Sequence, residues 1–125
     1  MENEKFGMLF LRLGLGIVFL WAGIGKLFFG AAPPVDSIIT FVPVTYTLFA
    51  LGLVEFVLGV LLIFGLLTKI AGWFTAALLL VFVVAGLYLG MLSTVMSNVG
   101  LFGAALAVAL IGSKGMSLDD LLAKK

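Results

Sequence analysis

Four long apolar stretches, separated by short breaks, run the length of this chain, and they predict four membrane-spanning helices. The runs cover about residues 6–29, 45–67, 70–92 and 97–111. Each of the first three has the ~20 residues a helix needs to cross hydrocarbon. The fourth is shorter and reads as a span from its clean apolar content. Pro33, Pro34 and Pro43 cannot continue a helix, so residues 30–44 form a loop. Asp36 is placed there to cap a short interfacial turn through Ile38, Ile39 and Phe41. The tight Leu67-Thr68-Lys69 junction makes the second and third helices antiparallel neighbours. In the tail, residues 112–125, Ser117 followed by Asp119 and Asp120 suits the start of a short amphipathic helix. The expected fold is all-α: one domain, a four-helix antiparallel bundle.

Charge adds an orientation. Lys5, Arg12, Lys69, Lys114, Lys124 and Lys125 fall toward one face, and Lys26 alone toward the other. The positive-inside rule then puts both termini in the cytoplasm of a multi-pass cell-membrane protein, with the 30–44 loop outside. The first run shares Lys5, an apolar stretch and Ala31-Ala32 with signal peptides. Glu2 and Glu4 are wrong for a positive leader, and the apolar run is too long, so the segment is read as a retained span.

Composition narrows the chemistry. The chain is 64% hydrophobic and 10% charged, with a mean hydropathy of +1.37. A soluble domain is nearer a quarter charged. Cysteine and histidine counts are both zero. That excludes disulfides, thiol redox chemistry, cysteine-ligated iron–sulfur clusters, histidine-ligated haem and the usual zinc sites. No metal site is expected, and no cofactor of its own; a redox role would use a diffusible carrier such as a quinone, or a partner's cofactor. The net charge of +1, with basic residues dispersed, carries no nucleic-acid signature.

Three ionisable residues inside the spans are the candidate site: Arg12, Lys26 and Glu55. A charge at the bilayer centre costs ~3 kcal/mol on insertion scales and 10 or more in simulations, so such residues are usually paired or used. Arg12, Gly16, Phe19, Gly23 and Lys26 follow a 4-3-4-3 spacing and fall within roughly 80° of one another on a helix. Gly52, Glu55 and Gly59 share a face of the second helix in the same way. Gly16, Gly23, Gly52 and Gly59 are therefore expected to let these two helices approach closely. Rise per residue puts Arg12 about 10 Å to one side of Glu55 and Lys26 a similar distance to the other. Spacing leaves open which cation Glu55 takes. An unpaired carboxyl there would be protonated and suited to proton exchange, and a paired one mainly architectural. Arg12 and Lys26 have a second reading, snorkelling to the two interfaces.

Asn98, at the start of the expected fourth helix, reads as a cap or as a pocket residue. Tyr88 and Trp21 are aromatics that either face the polar site or belong to packing and the interfacial belt. Gly86 with Gly90, Gly100 with Ala104, and Gly103 with Ala107 read as packing seams of the last two helices.

Taken together, Arg12-Leu13-x-Leu15-Gly16-x-x-Phe19-Leu20-x-x-Gly23-x-x-Lys26-Leu27, Gly52-Leu53-x-Glu55-x-x-x-Gly59, Gly65-Leu66-Leu67-Thr68-Lys69 and Gly112-x-x-Gly115-x-Ser117-Leu118-Asp119 make the chain resemble the DoxX-like family of small four-helix membrane proteins. That resemblance implies a bundle associated with membrane oxidoreductase systems. Related proteins include the small subunit of a thiosulfate:quinone oxidoreductase and partners in oxidative-stress complexes, while many relatives have no assigned activity. The loop departs from any secure alignment, so Asp36 inherits no role. The leading expectation is an oxidoreductase membrane subunit, not catalytic alone, whose Arg12–Glu55–Lys26 site takes a quinone or a small anion. Its partners would be the bilayer, an oxidoreductase subunit and a second copy of the chain. The competing readings are a small transporter or channel in which Glu55 binds protons or cations, and a membrane scaffold with a purely structural ion pair.

Overall fold

The computed structural model describes residues 2–29, 44–113 and 117–123. Five helices make up this part of the chain: α1 (Glu2–Phe28), α2 (Val44–Phe64), α3 (Thr68–Leu89), α4 (Leu92–Ile111) and α5 (Leu118–Ala123). The first four are long and apolar enough to cross a membrane. The expected turn at Asp36, Ile38, Ile39 and Phe41, and the prolines 33, 34 and 43, lie outside the described residues. The end of the bundle from which α1 emerges toward residue 30 is called here the loop end. The opposite end, with the α2–α3 turn and α5, is the terminal end.

Two antiparallel hairpins build the bundle. Helix α1 packs most extensively on α2, and α3 on α4, with the pairs meeting along α2–α3 and α1–α4. Glycines hold the first hairpin together. A Cβ added at Gly23 would lie 2.6 Å from the Phe56 nitrogen, and one at Gly59 would lie 2.6 Å from the Leu20 nitrogen. Gly16 and Gly52 face the same seam, across from Gly59 and Gly23. All four expected packing glycines are thus in backbone contact. The seams expected on α4 differ. Gly100 and Gly103 have nothing within 4 Å of their Cβ positions, and Gly72 instead brings α3 onto the Ala109 backbone at 2.6 Å. Gly86 does pack, against Val95.

Helix ends depart from the sequence pattern where backbone geometry decides. Gly90, at φ 72°, closes α3, with the Met91 amide donating to the Gly86 carbonyl, so this glycine is a C-terminal cap and not a seam residue. The chain restarts at Leu92, five residues before the expected position. Ser93, Thr94 and Ser97 are therefore helical, and the Ser97 hydroxyl donates to the Ser93 carbonyl at 3.1 Å, which satisfies it within the helix. Buried leucines and small residues fill the centre: Leu15, Leu58, Leu62, Leu79, Ala105 and Val108. Large apolar side chains such as Phe10, Phe74 and Leu87 cover the outside, as hydrocarbon solvent permits.

Candidate functional site

The α1–α2 seam decides which cation meets Glu55. Gly52 packs beside Lys26, and a Cβ there would come 3.0 Å from the Lys26 Cβ. Gly52 lies one helical turn, about 4.5 Å, from Glu55. Lys26 Nζ accordingly donates to Glu55 Oε2 at 2.7 Å, a salt bridge in which the carboxylate side chain is 2% exposed and the lysine 11%. The ammonium also stands 5.9 Å from the centre of the Phe82 ring, a cation–π arrangement.

Arg12 is not part of this site. The residue is fully buried at the terminal end, 0% exposed, and its Nη1 occupies the space that a Cβ on Gly65 would take. Gly65 is ten residues beyond Glu55, about 15 Å along the helix axis. The near-symmetric placement of two cations about Glu55 is thereby corrected. The interlocked glycines shift the register, bringing Lys26 within a turn of the carboxylate and carrying Arg12 away from it. The snorkelling alternative fails for Arg12 as well, because its head group turns inward. The charges acting on it are those of Asp120 and then Asp119, from α5.

This second cluster is built by the turn and the tail. Gly65 adopts φ 69°, a left-handed conformation open to glycine, and lets Leu66 N–H close α2 on the Leu61 carbonyl. Leu67 is also left-handed, at φ 51°, and has no capping side chain for α3. Asp119 takes that role from 52 residues away. Its two carboxylate oxygens accept the Leu67 and Thr68 amides at 2.7 and 2.8 Å, and its own amide donates to the Gly65 carbonyl at 2.9 Å. Ser117 starts α5 as expected, its hydroxyl donating to the Asp120 carboxylate and accepting the Asp120 amide. No local pattern around Thr68 signals a cap supplied by Asp119.

At the Lys26–Glu55 pair, side chains of all four long helices line a half-open pocket of about 190 Å³. Its apolar wall includes Phe19 and Phe82, and its polar wall adds Thr94 and Asn98 to the ion pair. Asn98 lies in the second turn of a helix that begins at Leu92, so its expected role as a cap gives way to lining the pocket. Thr94, one turn earlier on the same face, is a pocket residue that the sequence pattern assigned to the break between helices. Trp21 and Tyr88 are 72% and 78% exposed and stand outside the pocket, on the lipid-facing surface. A separate groove between α2 and α3, lined by residues such as Leu53, Val57 and Phe74, has no polar side chain.

Comparison with known proteins bears on this arrangement. The DoxX family profile matches residues 7–89, more than half of the 125 residues, from the Arg12 stripe through the Glu55 face to the end of α3. The chain belongs to the DoxX family. It is a small multi-pass membrane protein, as four apolar spans and that membership together require. No curated protein and no solved structure matches it. The elements that form the DoxX core, α1 to α3, supply Lys26, Glu55 and Phe82, and α4 beyond the matched segment supplies Thr94 and Asn98.

Proposed function

We propose that this DoxX protein is a membrane subunit of an oxidoreductase system and that its α1–α4 pocket receives a quinone headgroup. The observation that carries the reading is the Lys26–Glu55 pair at 2.7 Å, set in a pocket with aromatic walls and the Asn98 amide. A volume of about 190 Å³ is below the ~300–1,000 Å³ of pockets for drug-sized ligands and suits one substituted ring. Lys26 and the Asn98 amide are donors for a quinone carbonyl, and Glu55 would accept a quinol proton when the headgroup draws Lys26 off the carboxylate; left paired, as it stands in the bundle, it is architectural. A small anion is the weaker candidate, since the carboxylate already neutralises the ammonium that would attract it. Electrons would pass to a partner's cofactor, because the chain has neither cysteine nor histidine to hold a metal centre. Under the positive-inside rule the terminal end is cytoplasmic and the membrane is the cell membrane.

Titration of the protein in lipid nanodiscs with a short-chain benzoquinone tests this. Saturable binding is expected, weakened at least tenfold, about 1.4 kcal/mol, by Glu55→Gln and by Asn98→Leu. Wild-type protein that binds no quinone, or variants that bind as well as wild type, would remove the reading. Proton flux in liposomes that disappears with Glu55→Gln would favour a transporter. Silence in both assays, with a destabilised Glu55→Gln, would leave a structural ion pair.

A further inference from the structure

The two polar clusters of this bundle are separated by a layer of buried, mostly apolar side chains. At the terminal end lie Arg12, Thr68 and Ser117, all buried. At the pocket lie Lys26, Glu55, Thr94 and Asn98. Between them Leu15, Leu58, Leu62 and Val108 are at most 5% exposed. The α3 backbone closes the layer further, since Gly72 sits directly against Ala109, where an added Cβ would lie only 2.6 Å from the Ala109 nitrogen. The one buried hydroxyl at this depth, Thr75, is 0% exposed, and its Oγ1 has no hydrogen-bond partner among the described residues. Thr68 stands seven residues away, about 10.5 Å along the axis, far beyond one hydrogen bond. Among the described residues, neither the Thr68 nor the Thr75 hydroxyl makes a hydrogen bond that would link the clusters.

On the other side of the pocket the polar groups are continuous with a helix end. Thr94 is the third residue of α4, and Asn98 follows one turn deeper on the same face. Lys26 is in the last turn of α1 at the same end of the bundle. Polar groups therefore run from the loop end inward, Thr94 and Lys26 near the helix ends and Asn98 and Glu55 deeper, and stop at the apolar layer.

We infer that water and protons reach the pocket from the loop end along a Thr94–Asn98 lane on α4, and not across the apolar layer from the terminal end; residues 30–43, which join α1 to α2 at the loop end, lie outside the described residues. Glu55 then exchanges protons with one membrane face only. The step is a transfer of H⁺ between the carboxyl group and water, forming or consuming hydronium, with the Lys26 ammonium unchanged. Lys26 and Glu55 are the titratable groups lining the pocket among the described residues. The lane stands on geometry; its use for quinol protons rests on the function proposed above.

The chain contains no cysteine, so single cysteines report access without background. Thr94→Cys, Asn98→Cys and Thr75→Cys are conservative in size, with Ser93→Cys on the exposed surface of α4 as a labelling control and gel filtration as the check on folding. Each is reconstituted in phosphatidylcholine–phosphatidylglycerol vesicles of known orientation and treated with a membrane-impermeant maleimide from either side. Asn98→Cys is expected to react at least tenfold faster from the loop end, and Thr75→Cys to stay unlabelled from both. Faster labelling of Asn98→Cys from the terminal end, or of Thr75→Cys from that end, overturns the inference. So does an Asn98→Cys that is silent from both sides while Ser93→Cys reacts. A short-chain benzoquinone added during labelling separates the two proposals: labelling from the loop end that the quinone does not slow keeps the lane and removes the ligand.

Discussion

At the scale of single residues, burial makes the pair of Lys26 and Glu55 more consequential than either charge alone. Removing one partner leaves the other buried without its counter-charge, at a cost of about 3–5 kcal/mol, whereas replacing both by apolar groups of similar volume is often near neutral. Lys26→Met should therefore lower the unfolding temperature in detergent sharply, and the Lys26→Met, Glu55→Leu double variant should recover most of it. A double variant as unstable as the single one would show that the pair is not the element being broken. The α2–α3 turn offers a test of opposite sign. Gly65→Ala must place a Cβ in a left-handed conformation, about 1–2 kcal/mol, and must also displace Arg12, so a loss of at least that size is expected in thermal unfolding. Leu67→Gly relieves a left-handed leucine that is half exposed, so a small gain in stability is expected. That Arg12, Lys26 and Glu55 are exceptional was legible along the chain, because charge within an apolar run stands out. Their partners were not, because one turn of helix register decides whether a long cation reaches a carboxylate.

Helices bring a different contrast, between glycines that touch and glycines that do not. Gly59→Ala drives a methyl group into the α1 backbone beside Leu20, and overpacking of this kind costs about 1–3 kcal/mol. Gly100→Ala meets open space and is expected to be neutral or to stabilise α4 by up to ~1 kcal/mol. Equal losses from both would place the α1–α2 seam elsewhere. Between α5 and the turn, Asp119→Ala removes the acceptor for the Leu67 and Thr68 amides at the start of α3, and a cap of this kind contributes about 0.5–2 kcal/mol. Asp119→Asn, which keeps an oxygen, should retain part of it; thermal unfolding of the two variants compares them directly. Sequence spacing identified the α1–α2 glycines because they share a face with the buried charges. It misassigned Gly90, Gly100 and Gly103, since the same residue type closes helices and lies on lipid-facing surfaces. The start of α4 was missed for a related reason: Ser93 and Ser97 look like a polar break, yet a helix satisfies the Ser97 hydroxyl internally.

For the whole molecule, four spans leave α1 and α5 at the same end, whichever way the bundle is inserted. Reporters fused at the two termini should lie in one compartment, and the basic residues predict the cytoplasm; reporters in opposite compartments would end the four-span account. Membrane residence, helix number and the identity of the buried charges were all determined by the order of amino acids, because twenty apolar residues in succession have one low-energy home and a charge among them stands apart. The division into a pocket pair and an anchored arginine was decided only in three dimensions. It depends on where backbones touch at Gly23, Gly52 and Gly59, and on a carboxylate at Asp119 that reaches a turn far away in the chain. Contacts between distant segments follow from packing geometry, which no local pattern of hydrophobic and polar positions encodes.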